Sequence, residues 1–291
     1  MAVARRDVDY LRGHGGAPGK RYPERMTPGT FGELLREWRQ RRRLSQLALS
    51  CDTEVSTRHL SFLESGRSHP SRAMVVRLAE RLDVPLRERN RWLVAAGYAP
   101  AYGERPLDDT ALQAAMRAVH RVLQAHEPFP GLAVDRHWTM VRANAAVAPL
   151  LDGVAPALLA QPVNVMRLSL HPDGLLPRIA NVDQWRSHLL SRLARQVRES
   201  GDERLAALYD EVSGVSGSAA RAASATRAVH DDVIVPLQLQ TPVGTLSFIS
   251  TTLLFGSPMD VTLSELAVEL FYPADERTAD AVRALVAGTH A

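Results

Sequence analysis

Apolar residues recur at helical spacing from Thr30 to Tyr98 and at mixed spacing after Tyr102. Phe31, Leu34, Leu35 and Trp38 stand at i, i+3, i+4 and i+7, which predicts a helix from about Phe31 to Arg42 with these four inward. Ser45 and Ser56 each precede a short helical pattern. A serine there accepts a hydrogen bond from a free first-turn amide, so each is read as an N-cap. Leu47, Leu60 and Leu63 are the inward candidates of these two helices, and Gly66 is the stop after the second. Pro70 and Ser71 open a fourth helix with Met74, Val75, Leu78, Ala79 and Leu82 inward. Pro85 opens a fifth that runs to Gly97. Five short helices predict a compact all-α domain.

Beyond Tyr102 the texture changes. An alanine-rich helix over 107–126 reads as a connector. Two short strands follow over 131–143 around a turn at Asp135 and Arg136, and Asn144 is placed to cap a short helix to Leu151. Helices are expected over 183–199, with Trp185, Leu189, Leu193 and Val197 on one face, and over 202–212. Strands over 233–239 and 245–252 flank a turn at Pro242, Val243 and Gly244. Residues 260–272 carry two signals: a capping box at Thr262 and Glu265, then alternation at Leu266, Val268, Leu270 and Tyr272. A helical turn leading into a strand reconciles them, and a last helix covers 275–287. Strands at both ends with helices between them predict an α+β layer architecture.

Composition places these elements in a soluble protein of two domains. Of the 291 residues, 45% are apolar and 23% charged, and no apolar run is long enough to span a bilayer. No secretory signal is evident, and the single cysteine, Cys51, leaves no disulfide framework or multi-thiolate zinc site, so a cytoplasmic location is expected. Charge is uneven along the chain. Residues 1–105 hold 20 Lys and Arg against 12 Asp and Glu, a net +8, whereas residues 106–291 hold 15 against 20, a net −5. That polarity suits a nucleic-acid-binding head on a body with another task. Arginine supplies 34 of the 35 basic residues, which reflects composition bias more than a binding signal.

Residues 1–28 lack apolar periodicity and are expected to be an arm. Gly15, Gly16 and Lys20 imitate a phosphate loop there, but His14 stands where its first glycine belongs and Arg21 where the metal-binding hydroxyl belongs. Ten histidines are dispersed without metal-ligand spacing, and no nucleophile elbow occurs. Neither a metal, nor a cofactor, nor a catalytic site is expected.

The second and third helices form a pair joined by a tight turn. The third offers a polar N-terminal half before a basic background, the form that fits a DNA major groove. Arg58 can read guanine O6 and N7 through two hydrogen bonds, or can bind a phosphate that carries no sequence information. This segment resembles the Xre family, the Cro and phage-repressor type of helix-turn-helix, through Arg36-x-x-Arg39, Leu44-Ser45-Gln46, Val55-Ser56, Leu60-x-x-Leu63-Glu64 and Gly66. The resemblance implies a λ-repressor-like five-helix domain over 29–102. It implies that Gln46 binds a phosphate and that Thr57 and Arg58 face bases. Ser56, His59, Arg43 and Arg67 complete the set expected on DNA, and Arg39 and Glu64 match a family pair that forms a structural salt bridge. Two departures stand out: Glu54 replaces the usual turn glycine, and Phe62 occupies a position that is often polar.

The rest of the chain resembles the MmyB-like regulators, whose ligand-binding domain has a PAS-like α+β fold. The resemblance rests on the run from Asn164 to Gly174, the helix around Trp185, the run from Val243 to Phe248, and Phe271-Tyr272-Pro273-Ala274-Asp275-Glu276. It implies a ligand-binding and dimerisation domain over 127–291, joined by a connector over 103–126, and a homodimer on an inverted-repeat DNA operator. It also implies a small apolar ligand, with fatty acids the leading class. Met166, Trp185, Leu189, Phe248 and Phe255 are the candidate apolar lining, and Arg167, Arg186 or His171 the candidates to hold a carboxylate; for any one of them the plainer reading, core for the apolar residues and solvent for the polar ones, has the greater weight. The alternatives are a C-terminal domain that only dimerises or docks a protein partner, and an enzyme with a DNA-binding head; the missing cofactor and nucleophile motifs weigh against the enzyme.

Overall fold

The structure, a computed structural model, describes residues 29–214 and 234–289. The arm expected over 1–28, with its glycine-rich run, lies outside the described residues. The chain divides into two compact units.

The first unit ends at Arg105 and also takes in Pro258–Val261. It contains α1 (Phe31–Arg41), α2 (Gln46–Thr53), α3 (Thr57–Glu64), α4 (Arg72–Arg81) and α5 (Leu86–Ala95). Each start has a sequence cause. Thr30 and Glu33 form a full capping box on α1, and Ser45, Ser56 and Ser71 cap the next three helices through their hydroxyls. Pro85 stands one place outside α5, as its cap residue. Leu35, Trp38, Leu49, Leu60, Leu63, Val75, Leu78, Trp92 and Leu93 close a single core. Leu47 was expected to face inward but is 64% exposed, because it stands two residues before Leu49, nearly opposite it on the α2 wheel.

Gly32 sets the distance between α1 and α3. A Cβ there would lie 2.5 Å from the Leu63 carbonyl oxygen and 2.7 Å from that of Glu64. These are backbone atoms that cannot swing away, so glycine is what allows α1 to lie directly against the end of α3.

The second unit begins with a 3-10 turn at Thr110–Leu112 and α6 (Gln113–Ala125). The expected connector helix therefore belongs to this unit, where Val119 and Leu123 pack with Ala133, Leu266, Val268 and Leu270. Strands β1 (Gly131–Val134) and β2 (Met140–Ala143) follow. A 3-10 helix spans Ala145–Leu151, but Asn144 does not cap it with its side chain. Instead its amide receives Gly131 N–H and donates to the Leu123 and Phe129 carbonyls, stapling the end of α6 to β1.

Next come α7 (Pro156–Leu159), α8 (Val165–Leu170), a 3-10 turn at Leu176–Arg178, α9 (Val182–Ser200) and α10 (Glu203–Ser213). Then follow β3 (Leu237–Thr241), β4 (Gly244–Leu254), α11 (Val261–Ser264), β5 (Ala267–Pro273) and α12 (Glu276–Thr289). The helical turn and strand expected over 260–272 are both present, as α11 and β5. The sheet is antiparallel with strand order β2-β1-β5-β4-β3. Alternation divides its side chains: Leu132 and Val134 join the larger core with α8, α9 and α10, and Ala133 between them joins the α6 core.

The sheet's edges are treated unequally. Bridges at Thr139–Asn164 and Ile179–Leu239 lie beside the outer strands. The pairing of β4 with β3 stops at Phe248, whereas its pairing with β5 continues to Leu254. Ile249 to Leu254 therefore have a strand on one side alone among the described residues. Leu253 and Leu254 there are 45% and 68% exposed.

Candidate functional site

The helix pair α2–α3 is held by one ion pair with several ties. Arg39 Nε donates to Glu64 Oε1 at 2.6 Å and Nη2 to Oε2 at 2.9 Å, and Nη1 donates to the Leu44 carbonyl at 2.8 Å. Gln46 Nε2 donates to the same Glu64 Oε2 at 2.9 Å. One carboxylate thus joins α1, the start of α2 and the end of α3. Burial acts to raise the Glu64 pKa, but hydrogen bonds from Arg39 and Gln46 and the charges of Arg39 and Arg36 outweigh it and hold the carboxyl below its ordinary value. Hydrogen bonding to Glu64 correspondingly holds Arg39 above its ordinary value, against burial. The pair is half of a structural clasp, and removing either partner leaves an uncompensated charge.

Above this clasp, α3 turns a polar face outward. Arg58, Ser61 and Ser65 are exposed, while Leu60 and Leu63 are buried. Thr57 is half-buried, its hydroxyl 3.1 Å from that of Ser50. Ser56 accepts His59 N–H, so its oxygen is engaged as a cap, and His59 is half-buried. Arg43 and Arg67 are exposed at the two ends of the module. The turn residue Glu54 has φ 56° and ψ 26°, the left-handed conformation in which a Cβ is strained. Arg42, beside the exposed Arg43, donates to the Leu82 and Asp83 carbonyls, and its guanidinium lies over the Trp38 ring. It closes the fold because it sits at the C-terminus of α1, facing the end of α4.

In the second unit the expected lining residues separate. Met166, Trp185, Leu189 and Phe248 are buried in one core. Phe255 packs instead on the other core, with α6, because β4 ends at Leu254 beside the residues that α6 covers. The two arginines are engaged within the protein. Arg167 makes two hydrogen bonds to Glu211, at 2.6 and 2.8 Å. The Glu211 bond raises the Arg167 pKa, and the Arg167 bond lowers that of Glu211, burial opposing each. Arg186 donates to the Val212 and Ser213 carbonyls at the end of α10. His171 is half-exposed beside Asp173. The Trp185 indole nitrogen is buried and has no hydrogen-bond partner among the described residues.

Two polar groups here had no place in the sequence reading. Arg192 on α9 makes hydrogen bonds of 3.1 and 2.5 Å to Glu269 on β5, a residue 3% exposed. Thr252 also binds Glu269, and the Arg192 guanidinium lies over the Trp138 ring. A glutamate between Val268 and Leu270 in an apolar strand was the available signal of a buried pair. The second group is Asp202, which caps α10 and lies 3.0 Å from His137 Nε2 and 3.4 Å from Arg136. Burial alone would raise its pKa, but His137, Arg136 and the Arg204 amide together hold it far below the ordinary range. Among the described residues no group of three or more His, Cys, Asp or Glu is arranged to hold a metal. None of their helices is long and apolar enough to cross a membrane.

A capped helix pair with an exposed polar helix in one unit, and an α+β unit with its own core in the other, is the architecture of a two-part regulator with a helix-turn-helix head and a separate body. The comparisons with known families agree. The model described as a helix-turn-helix domain matches residues 30–92. The model described as the MmyB-like transcription regulator ligand binding domain matches residues 115–285, more than half of the chain. The chain belongs to the MmyB-like transcription regulators. These are families of regulators and ligand-binding domains, not of enzymes. A search of curated proteins found no match.

Proposed function

We propose that the protein is a cytoplasmic, Xre-type, homodimeric repressor that reads an inverted-repeat operator and responds to a small apolar ligand such as a fatty acid. The observation that carries the DNA-binding part is the outward face of α3, with Arg58 exposed above a helix pair fixed by Glu64. Gln46, Ser56, Thr57, Arg58, His59, Arg43 and Arg67 make up the proposed contact set, with half-sites about one helical turn apart. Gln46 would bind a phosphate while its amide remains tied to Glu64. The proposed layout is an arm over 1–28, the head over 29–102, a connector over 103–126 whose helix α6 packs on the body, and a PAS-like body over 127–291. The test is titration of a selected operator at fixed salt. Arg58→Ala is expected to cost about 1–3 kcal/mol and relax base preference at one position. Unchanged affinity and preference would reject that role.

For the ligand, the support is the shared burial of Met166, Trp185, Leu189 and Phe248 and the Trp185 N–H, which has no partner among the described residues and which an acceptor on a bound molecule would satisfy. Phe255, Arg167 and Arg186 would each have to leave present partners to take part. Ligand control requires unequal affinity for the DNA-competent and incompetent states. A second reading has its own support. The stretch of β4 that pairs on one side alone among the described residues favours a body that dimerises or docks a partner without a small molecule. Solvent extraction of the purified protein followed by mass spectrometry separates the two. A co-purified lipid supports sensing, whereas empty preparations with no thermal shift across a fatty-acid panel favour the interaction domain.

A further inference from the structure

We infer that Arg58 and Phe62 form one composite reader that selects a guanine near a pyrimidine carrying a C5 methyl group, with Phe62 reading the methyl. The inference deepens the DNA-binding reading above and rests on it. Phe62 is apolar yet has no place in the core of its unit, although its neighbours Leu60 and Leu63 are fully buried. It is half-buried on the outward side of α3, one turn after Arg58. The Arg58 guanidinium lies over its ring, 5.4 Å from the centroid. Its carbonyl accepts Arg67 N–H at 2.8 Å and Ser68 N–H at 3.2 Å, so the backbone beneath the ring is fixed where the chain leaves α3.

Each partner changes what the other can do. A ring under the guanidinium restricts a long side chain before DNA arrives, which favours the two-bond geometry at guanine over a loose phosphate contact. The remaining ring surface is apolar and faces away from the core. On the major-groove edges of the bases the matching apolar feature is the C5 methyl of thymine. Residues at i and i+4 are about 5–6 Å apart on a helix, and base pairs rise by about 3.4 Å. The two side chains therefore address base pairs one or two steps apart. A 5-methylcytosine presents the same methyl, so such a reader also responds to cytosine methylation.

The test uses the full-length protein. An operator is first selected from random duplex at fixed salt, and each thymine is then replaced singly by deoxyuridine, which removes the methyl and nothing else. For the wild type one thymine per half-site is expected to lose about fourfold in affinity, the worth of one buried methyl. In Phe62→Ala, whose melting temperature serves as the folding control, the same replacement is expected to change affinity by less than about twofold on that scale. Phe62→Leu keeps an apolar side chain without the ring and should retain part of the discrimination. At that position 5-methylcytosine should bind more tightly than cytosine. A flat deoxyuridine scan in the wild type, or an equal penalty in wild type and Phe62→Ala, overturns the composite reader. Failure to enrich any sequence overturns the DNA-binding reading beneath it.

Discussion

Each unit contains a largely buried arginine–glutamate pair with two hydrogen bonds, Arg39–Glu64 in the head and Arg192–Glu269 in the body, and the two pairs differ in what they join. Arg39 and Glu64 are 25 positions apart and tie three consecutive helices beside an exposed working face. Arg192 and Glu269 are 77 positions apart and tie a helix to a central strand inside a core. The first pair lies under polar residues that point to solvent, so it supports a surface. The second is surrounded by apolar packing, so it places charge where charge is costly and fixes which helix faces which strand. The head sets its buried ion pair beneath a solvent-facing polar helix, whereas the body keeps its ion pair within apolar packing.

The largest expected effect separates those roles. Glu269→Ala leaves Arg192 unpaired and should destabilise the body by about 3–5 kcal/mol. In denaturant, the body's transition should move while the head's stays in place. Arg192→Met combined with Glu269→Leu should recover most of the loss, because well-packed apolar replacements of buried pairs are often neutral. A double variant as unstable as the single one would show that the pair is needed in itself. Next in size, Gly32→Ala should cost about 1–3 kcal/mol in the head by pushing α1 off α3. It should also weaken operator binding, whereas Glu269→Ala should leave binding by the folded head unchanged at low temperature.

A smaller effect concerns acid. The Asp202 carboxyl titrates lower in the folded chain than in the unfolded one. Its contribution is therefore complete above the ordinary aspartate range and is lost as pH falls toward the depressed folded value. Melting temperature followed from pH 6 downward should fall less steeply in Asp202→Asn than in the wild type, and parallel curves would reject the assignment. The smallest effect is in the head: Glu54→Gly should stabilise it by up to about 1 kcal/mol by relieving the left-handed turn. Unchanged thermal melting would mean that Glu54 compensates elsewhere.

Legibility in the sequence follows the same division. The helices of the head were readable because their signals are local: Ser45, Ser56 and Ser71 cap within three residues, and Phe31 to Trp38 repeat at 3.6. Leu47 misled because periodicity over eight residues does not fix which side of a short helix faces in. The structural role of Arg42 was not readable because the carbonyls it binds lie 40 and 41 positions away. In the body, strands and long helices were readable, but α7 and α8 are too short to show a period. The candidate pocket was least legible. Whether Phe255 joins Met166 depends on the face of the sheet it meets, and whether Arg167 is engaged depends on Glu211, 44 positions away.

The side of β4 that no described strand pairs bears on how the molecule behaves when concentrated. From Ile249 to Phe255 there is no charge and no proline to discourage an approaching strand. Such an edge does not choose its partner: a folded copy, a half-folded copy or an unrelated extended chain can each add to it. Colloidal behaviour is then governed by whatever covers those residues, more than by the depth of the folding free-energy well. A preparation that melts at high temperature can still precipitate with time. A single lysine placed at Leu254 should lengthen the useful life of the sample in solution.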